Sequence, residues 1–266
     1  MRSSNPVLSS LTDARRTRGM ASDPYAGYYN QAPAQTYERP MTVDDVVTKT
    51  GITLGVIIAF AVANFGISLV SPGLAMMLTM VGAIGGLITV LISSFGKKFG
   101  SKAVTLAYAA FEGLFVGGIS LVLSGAIVGN VNAGALIGQA VLGTVGVFIG
   151  MLYVYKTGAV KVTPKFNRIM TASMVGVLVL VLGNLLLSLF GVNTGLYGGG
   201  PIAIIFSLVC IGLAAMSFLQ DFDVADRLIR QGAPANMAWG VALGLAVTLV
   251  WLYTEILRLL SYFQQR

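Results

Sequence analysis

The stretch LVWLYTEILRLL, residues 249 to 260, places an acid, Glu255, inside a run of large apolar side chains, with Arg258 three positions further on. Whether that run is the core of a soluble domain or a segment bathed in lipid decides the fold. Composition answers the question. Of the 266 residues 56% are hydrophobic and only 10% charged, against roughly 25% charged in a soluble domain, and the mean hydropathy is +0.82. A helix rising about 1.5 Å per residue needs about 20 apolar residues to cross about 30 Å of hydrocarbon. Seven segments qualify: 51–70, 73–95, 103–125, 133–155, 169–190, a sixth from Pro201 that ends between Gln220 and Ile229, and a seventh that begins between Met237 and Leu243 and ends near Phe263. The expected fold is an all-α integral membrane protein, a bundle of seven transmembrane helices.

Residues 1–48 differ from the rest. They are polar, rich in Ser, Pro, Tyr and Ala, and contain no apolar stretch of signal-peptide type, so a disordered cytoplasmic tail is expected over 1–48 and a transmembrane domain over 49–266. At TVDD, residues 42–45, Thr42 can cap a helix while Asp45 reaches back to the cap, with Asp44 and Asp45 at the positive end of the helix dipole. The first helix is thus expected to begin outside the bilayer.

Basic residues set the orientation. Lys97, Lys98 and Lys102 lie between the second and third spans, Lys156, Lys161, Lys165 and Arg168 between the fourth and fifth, and Arg227 and Arg230 between the sixth and seventh. The intervening loops carry none. The positive-inside rule puts the charged loops and the amino terminus in the cytoplasm and the carboxyl terminus outside. Scattered over short loops, these bases do not form a nucleic-acid surface, so no nucleic-acid partner is expected.

Missing residues exclude several chemistries. There is no His, which removes imidazole-based nucleophile systems, imidazole metal sites and HExxH proteases. A lone cysteine, Cys210, in the sixth span, makes neither an intrachain disulfide nor a thiolate cluster. The seventh span has no Lys for a Schiff base, and neither a phosphate-binding GxxxxGK[ST] nor a GxGD segment occurs. The expectation is a protein that is not an enzyme and has no cofactor.

Five acids remain beyond the tail: Glu112, Asp221, Asp223, Asp226 and Glu255. An ionised Asp at the centre of a spanning helix costs about 2.5–3.5 kcal/mol on the lenient insertion scales, so such residues are candidates for function. Each also has a plain structural explanation. Glu112, about 15 Å past Lys102 by the helix rise, fits a carboxyl hydrogen-bonded to a neighbouring helix. Asp221 and Asp223 fit charges at the cytoplasmic interface, Asp226 a solvent-facing one, and Glu255 a local pair with Arg258 on the same helix face. The glycines fit close helix packing, and Trp239 and Trp251 fit the two membrane interfaces.

Three segments carry a family resemblance. LYTEILRLLSYF (252–263) resembles the last helix of the transmembrane Bax inhibitor motif family, which reads L-Y-L-D-hydrophobic-hydrophobic-N-L-F; LQDFD (219–223) resembles its Y-D-T-Q; and AAFEGLFVGGIS (109–120) resembles its E-G-L segment. The resemblance covers about 45–263, with Glu255 where Asp is usual, Asp223 where Gln is usual, and no Asn after Glu255. It implies a bundle with the last helix central, in a bacterial-type inner or plasma membrane. It also implies a pH-sensitive leak of calcium or another cation, gated by two acids that share a proton. Carried over by motif, the gate is Asp221 and Glu255, with Glu112 and Asp223 supporting the path and Arg258 competing for Glu255.

The physics of such a pair is sound. Two carboxyls in contact in a low-dielectric site cannot both ionise cheaply and titrate as a unit. Their oxygens would attract Ca²⁺ transiently, because a tight cage needs about six to eight oxygen ligands. Geometry sets a condition. With a tight turn at GAP, 232–234, Asp221 lies ten residues nearer the turn than Glu255, an offset of about 15 Å in straight antiparallel helices. Contact requires an interfacial cytoplasmic segment within Val224–Gly240 and a seventh span starting near Leu243, and this arrangement is the one expected. The alternative function is a non-transporting stress regulator or scaffold that binds other membrane proteins; there Glu255 would be closed against Arg258 rather than facing a cavity. Proton-coupled solute transport is a weaker third option, since no inverted repeat is evident.

Overall fold

The structure, a computed structural model, describes residues 39–96, 98–125, 133–192 and 194–264. Of the tail expected to be disordered over 1–48, residues 1–38 lie outside them. Seven helices follow in order: α1 (Val43–Val70), α2 (Pro72–Phe95), α3 (Lys102–Leu123), α4 (Ala133–Thr157), α5 (Pro164–Leu189), α6 (Pro201–Arg230) and α7 (Ala238–Gln264), the last preceded by a 3-10 turn at Ala235–Met237. All seven are long and apolar enough to cross a membrane. No strand forms among the described residues; one isolated bridge joins Pro40 to Pro234.

The start of α1 follows its local chemistry. Thr42 Oγ accepts from the Asp45 amide at 3.3 Å while Asp45 Oδ2 accepts from the Thr42 amide at 3.0 Å, the reciprocal capping read from TVDD. Arg39 grips the same carboxylate through both of its Nη atoms, each at 2.7 Å. The helix therefore starts at Val43, and residues 43–48 belong to α1 rather than to the tail. Just before it, Met41 donates its amide to Ala233 O at 2.7 Å, Ala235 donates to Arg39 O at 2.9 Å, and the Met41 side chain, 2% exposed, enters the α6 and α7 core beside Phe218 and Val241.

The far end of α6 corrects an expectation. No interfacial segment interrupts Val224–Gly240: α6 runs unbroken to Arg230 and α7 begins at Ala238. No Gly or Pro stands between Val224 and Gly232, Asp223 pairs with Arg227 at 2.8 Å and Asp226 with Arg230 at 2.7 Å in i,i+4 register, and both bases favour the negative end of the helix dipole. Termination comes where the chain can turn left-handed. Gly232 takes φ +64°, donating to Ile229 O while Ala233 donates to Leu228 O, and Pro234 bars continuation.

Packing depends on small residues, since lipid supplies no hydrophobic drive for helices to associate. A Cβ on Gly82 of α2 would stand 2.5 Å from Phe111 O of α3, and one on Gly113 of α3 would stand 2.5 Å from Ile57 O of α1, so α3 lies with its backbone against both neighbours. The most buried span is α7, with 72% of its apolar window inside, against 0% for α5. It packs on α1, α3, α4 and α6. Trp239, in its first turn, lies under Lys49 Nζ of α1 and Lys102 Nζ of α3, at 5.6 and 5.7 Å from the ring centroid. Trp251, midway along α7, packs partly buried against the core cluster of α6 and α7.

Candidate carboxylate seam between the sixth and seventh helices

Residues seven apart share a helix face, drifting by only about 20° per heptad. On α6 the series Ser207, Ala214, Asp221 lies on one such line, and on α7 Thr248 and Glu255 lie on another. The two lines meet. Asp221 Oδ2 accepts from Thr248 Oγ1 at 2.7 Å, and its Oδ1 would lie 3.9 Å from a Cβ on Gly244, so a residue without a side chain makes room for the carboxyl.

Glu255 occupies the same seam further along α7. It is 5% exposed, and its Oε1 accepts from Arg258 Nη1 at 2.7 Å. Oε2 and the neighbouring Ser207 Oγ are both buried and lack a hydrogen bond of good geometry. Arg258 in turn stacks on Tyr197, its Cζ 4.8 Å from the ring centroid. Glu255 thus has one strong partner, and that partner comes from its own helix.

Direct contact between the two acids, the expected arrangement, does not occur. Thr248, the partner of Asp221, precedes Glu255 by seven residues, or about 10.5 Å of helix. With α6 continuous to Arg230, the offset anticipated for straight helices persists, and each acid takes a partner at its own level. The interval is closed by apolar atoms: Ala214 and Leu252 are both 0% exposed and belong with Phe218 and Leu249 to one core cluster.

The remaining acids stand elsewhere. Glu112 on α3 faces α2, where a Cβ on Gly86 would meet its Oε2 at 2.8 Å, and Tyr108 one turn earlier is its hydrogen-bond partner. Asp223 and Asp226 are engaged with Arg227 and Arg230 on α6 itself. Among the described residues no three of His, Cys, Asp and Glu gather into a metal site, so a cation in the seam would meet one carboxylate and one hydroxyl at each level, Thr248 with Asp221 and Ser207 with Glu255. Thr248, Ser207 and Tyr197 escaped the sequence reading, which weighed acids by their cost. The heptad spacing of 207, 214 and 221, small or acidic at each step, was the available signal for Ser207.

Comparison with curated proteins returns no match. The family model described as Bax inhibitor 1 like matches residues 5–265, nearly the whole chain and further into the tail than the motifs reach. A seven-helix chain with its acids on the sixth and seventh helices, matched almost end to end, belongs to the Bax inhibitor 1 like family.

Proposed function

We propose that this protein is a proton-regulated cation leak, suited by its oxygen chemistry to calcium, and that Asp221 and Glu255 gate it from two levels of one seam. One observation carries the reading: along the α6 and α7 interface Glu255 is buried and Asp221 half-buried, about two turns apart, each held by a donor on α7. A cation passing between the helices needs oxygen ligands that are few and weak enough to release it, and each level offers a carboxylate with one hydroxyl. Parting α6 from α7 opens the interval at Ala214 and Leu252; releasing Glu255 from Arg258 frees the second level. Glu112 braces α3 against α2, and Asp223 with Arg227 braces the end of α6. The protein lies in a bacterial-type inner or plasma membrane, amino terminus in the cytoplasm and carboxyl terminus outside. No catalysis and no resident cofactor enter this proposal.

Calcium flux into proteoliposomes from mildly acidic to mildly alkaline pH tests it. Flux is expected for the intact protein, with a pH dependence flattened by Asp221→Asn and by Glu255→Gln. Absence of flux throughout, or indifference to both substitutions, refutes it. Orientation is tested separately, in a Cys210→Ala background, by labelling single cysteines with an impermeant thiol reagent: Val192→Cys reacts from outside intact cells and Lys161→Cys only after lysis.

A second reading is favoured by a specific observation. Glu255 closed against Arg258, with an apolar interval between the acids, suits a non-transporting stress regulator that binds other membrane proteins. Under it the flux assay stays silent, and partners are recovered by crosslinking in the membrane with the intact chain but not with a chain lacking residues 1–38.

A further inference from the structure

At the end of α7 away from Asp221, Arg258 enters a cavity of about 390 Å³ whose walls include Leu123, Tyr197, Ser261 and Tyr262. Its guanidinium commits Nη1 to Glu255 and one face to the Tyr197 ring. The Nε and Nη2 edge makes no hydrogen bond among the described residues, although the side chain is only 19% exposed. Ser261 on the same wall is not bonded to that edge; its hydroxyl donates to Arg258 O at 2.7 Å. Glu255 is the one acid paired with this guanidinium among the described residues, and it takes the other edge.

A free edge of two parallel N–H groups in a partly desolvated cavity matches a pair of oxyanion oxygens, and charge-assisted forks of this kind are among the strongest polar contacts. Tyr197 and Tyr262 line the same cavity, and a phenol can act as an O–H donor. A carboxylate has two oxygens and the fork uses both; a phosphate has oxygens left for the phenols. We propose that this cavity is a phosphate-binding site, read by the Nε and Nη2 edge of Arg258, for a phosphate borne by a lipid headgroup or free in solution. The site stands on its own geometry and does not depend on the leak.

The test is calorimetric titration of the full-length protein in an uncharged maltoside detergent with inorganic phosphate, with dihexanoyl-phosphatidylglycerol, and with dihexanoylglycerol, which lacks the phosphate. At least one phosphate probe is expected to bind once per chain. Arg258→Lys, which keeps the charge and loses the fork, is expected to weaken it, and Arg258→Gln to weaken it at least about tenfold, the loss of one charge-assisted contact. The double variant Glu255→Gln with Arg258→Gln strands no buried charge and is expected to lose binding equally; Lys165→Gln, in the first turn of α5, leaves binding unchanged. Equal binding of both phosphate probes identifies free phosphate as a sufficient source, and binding of the lipid probe alone identifies the headgroup. The proposal is overturned if neither phosphate probe binds, if binding survives in the double variant, or if dihexanoylglycerol binds as tightly as the phospholipid.

Discussion

Replacing Arg258 by Gln isolates the energetics of the Glu255 site. The carboxylate is 5% exposed and its second oxygen has no hydrogen bond of good geometry, so Arg258 is the one strong partner that compensates its charge. Removing one member of such a pair leaves an uncompensated buried charge, a cost of about 3–5 kcal/mol. Removing both leaves two neutral amides that can pair with each other, so the double variant Glu255→Gln with Arg258→Gln should stand within about 1–2 kcal/mol of the parent, a typical single-site cost. The interaction term of the double-mutant cycle is therefore at least about 1 kcal/mol, above the additivity noise of about 0.5 kcal/mol. Reversible unfolding in mixed micelles of mild detergent and dodecyl sulfate measures all four corners. A coupling inside the noise, or a double variant less stable than Arg258→Gln alone, refutes the claim that the pair is desolvated. Under the leak reading the same single variant also raises calcium flux, because the second level loses its lock.

Thr248→Val, close in shape, removes the donor to Asp221 and should cost about 1.5–3 kcal/mol in the same unfolding assay, the range for a hydrogen bond to a charged group; a cost near zero would mean the carboxyl finds another donor. Gly82→Ala sets a methyl against the Phe111 and Phe115 backbones, which cannot swing aside, and should cost at least about 1–3 kcal/mol, whereas Gly146→Ala, with open space around it, should stay within about 0.5 kcal/mol. Equal effects at the two sites would refute the packing of α2 on α3. Met41→Ala should cost about 2–5 kcal/mol, as for a fully buried methionine, and should speed hydrogen exchange at its own amide, which bonds to Ala233 O; an unchanged exchange rate would mean that contact is not held.

Much of the fold was legible because the bilayer imposes a length on every apolar run, and local capping rules operate without distant information. The seven spans followed from the first, and the start of α1 at Thr42 from the second. The α6 and α7 turn was legible only in part. Gly232 marked its place, but helix continuation past Val224 depended on the sum of modest i,i+4 pairs and dipole terms that no single residue announces. Asp221 and Glu255 stood out because charge is rare in apolar helices. Their separation did not, since it depends on helix length to within a turn. Arg258 was recognised as a partner by spacing alone. Its stacking on Tyr197 was hidden, because that ring arrives from a loop some sixty residues earlier in the chain.

The bonds that join Met41 and Arg39 to the turn before α7 have a temporal meaning. They close a loop of about 190 residues, among the most non-local contacts a chain of this size can make, and loop closure of that kind must wait for both ends to exist. During synthesis the first helix emerges with its cap made and its anchorage missing. That anchorage forms only when α6 and the turn after it have been produced, so the beginning of the polypeptide is locked by residues near its end, and premature termination before Ala233 leaves the entry to α1 unsecured even if every earlier helix has been inserted.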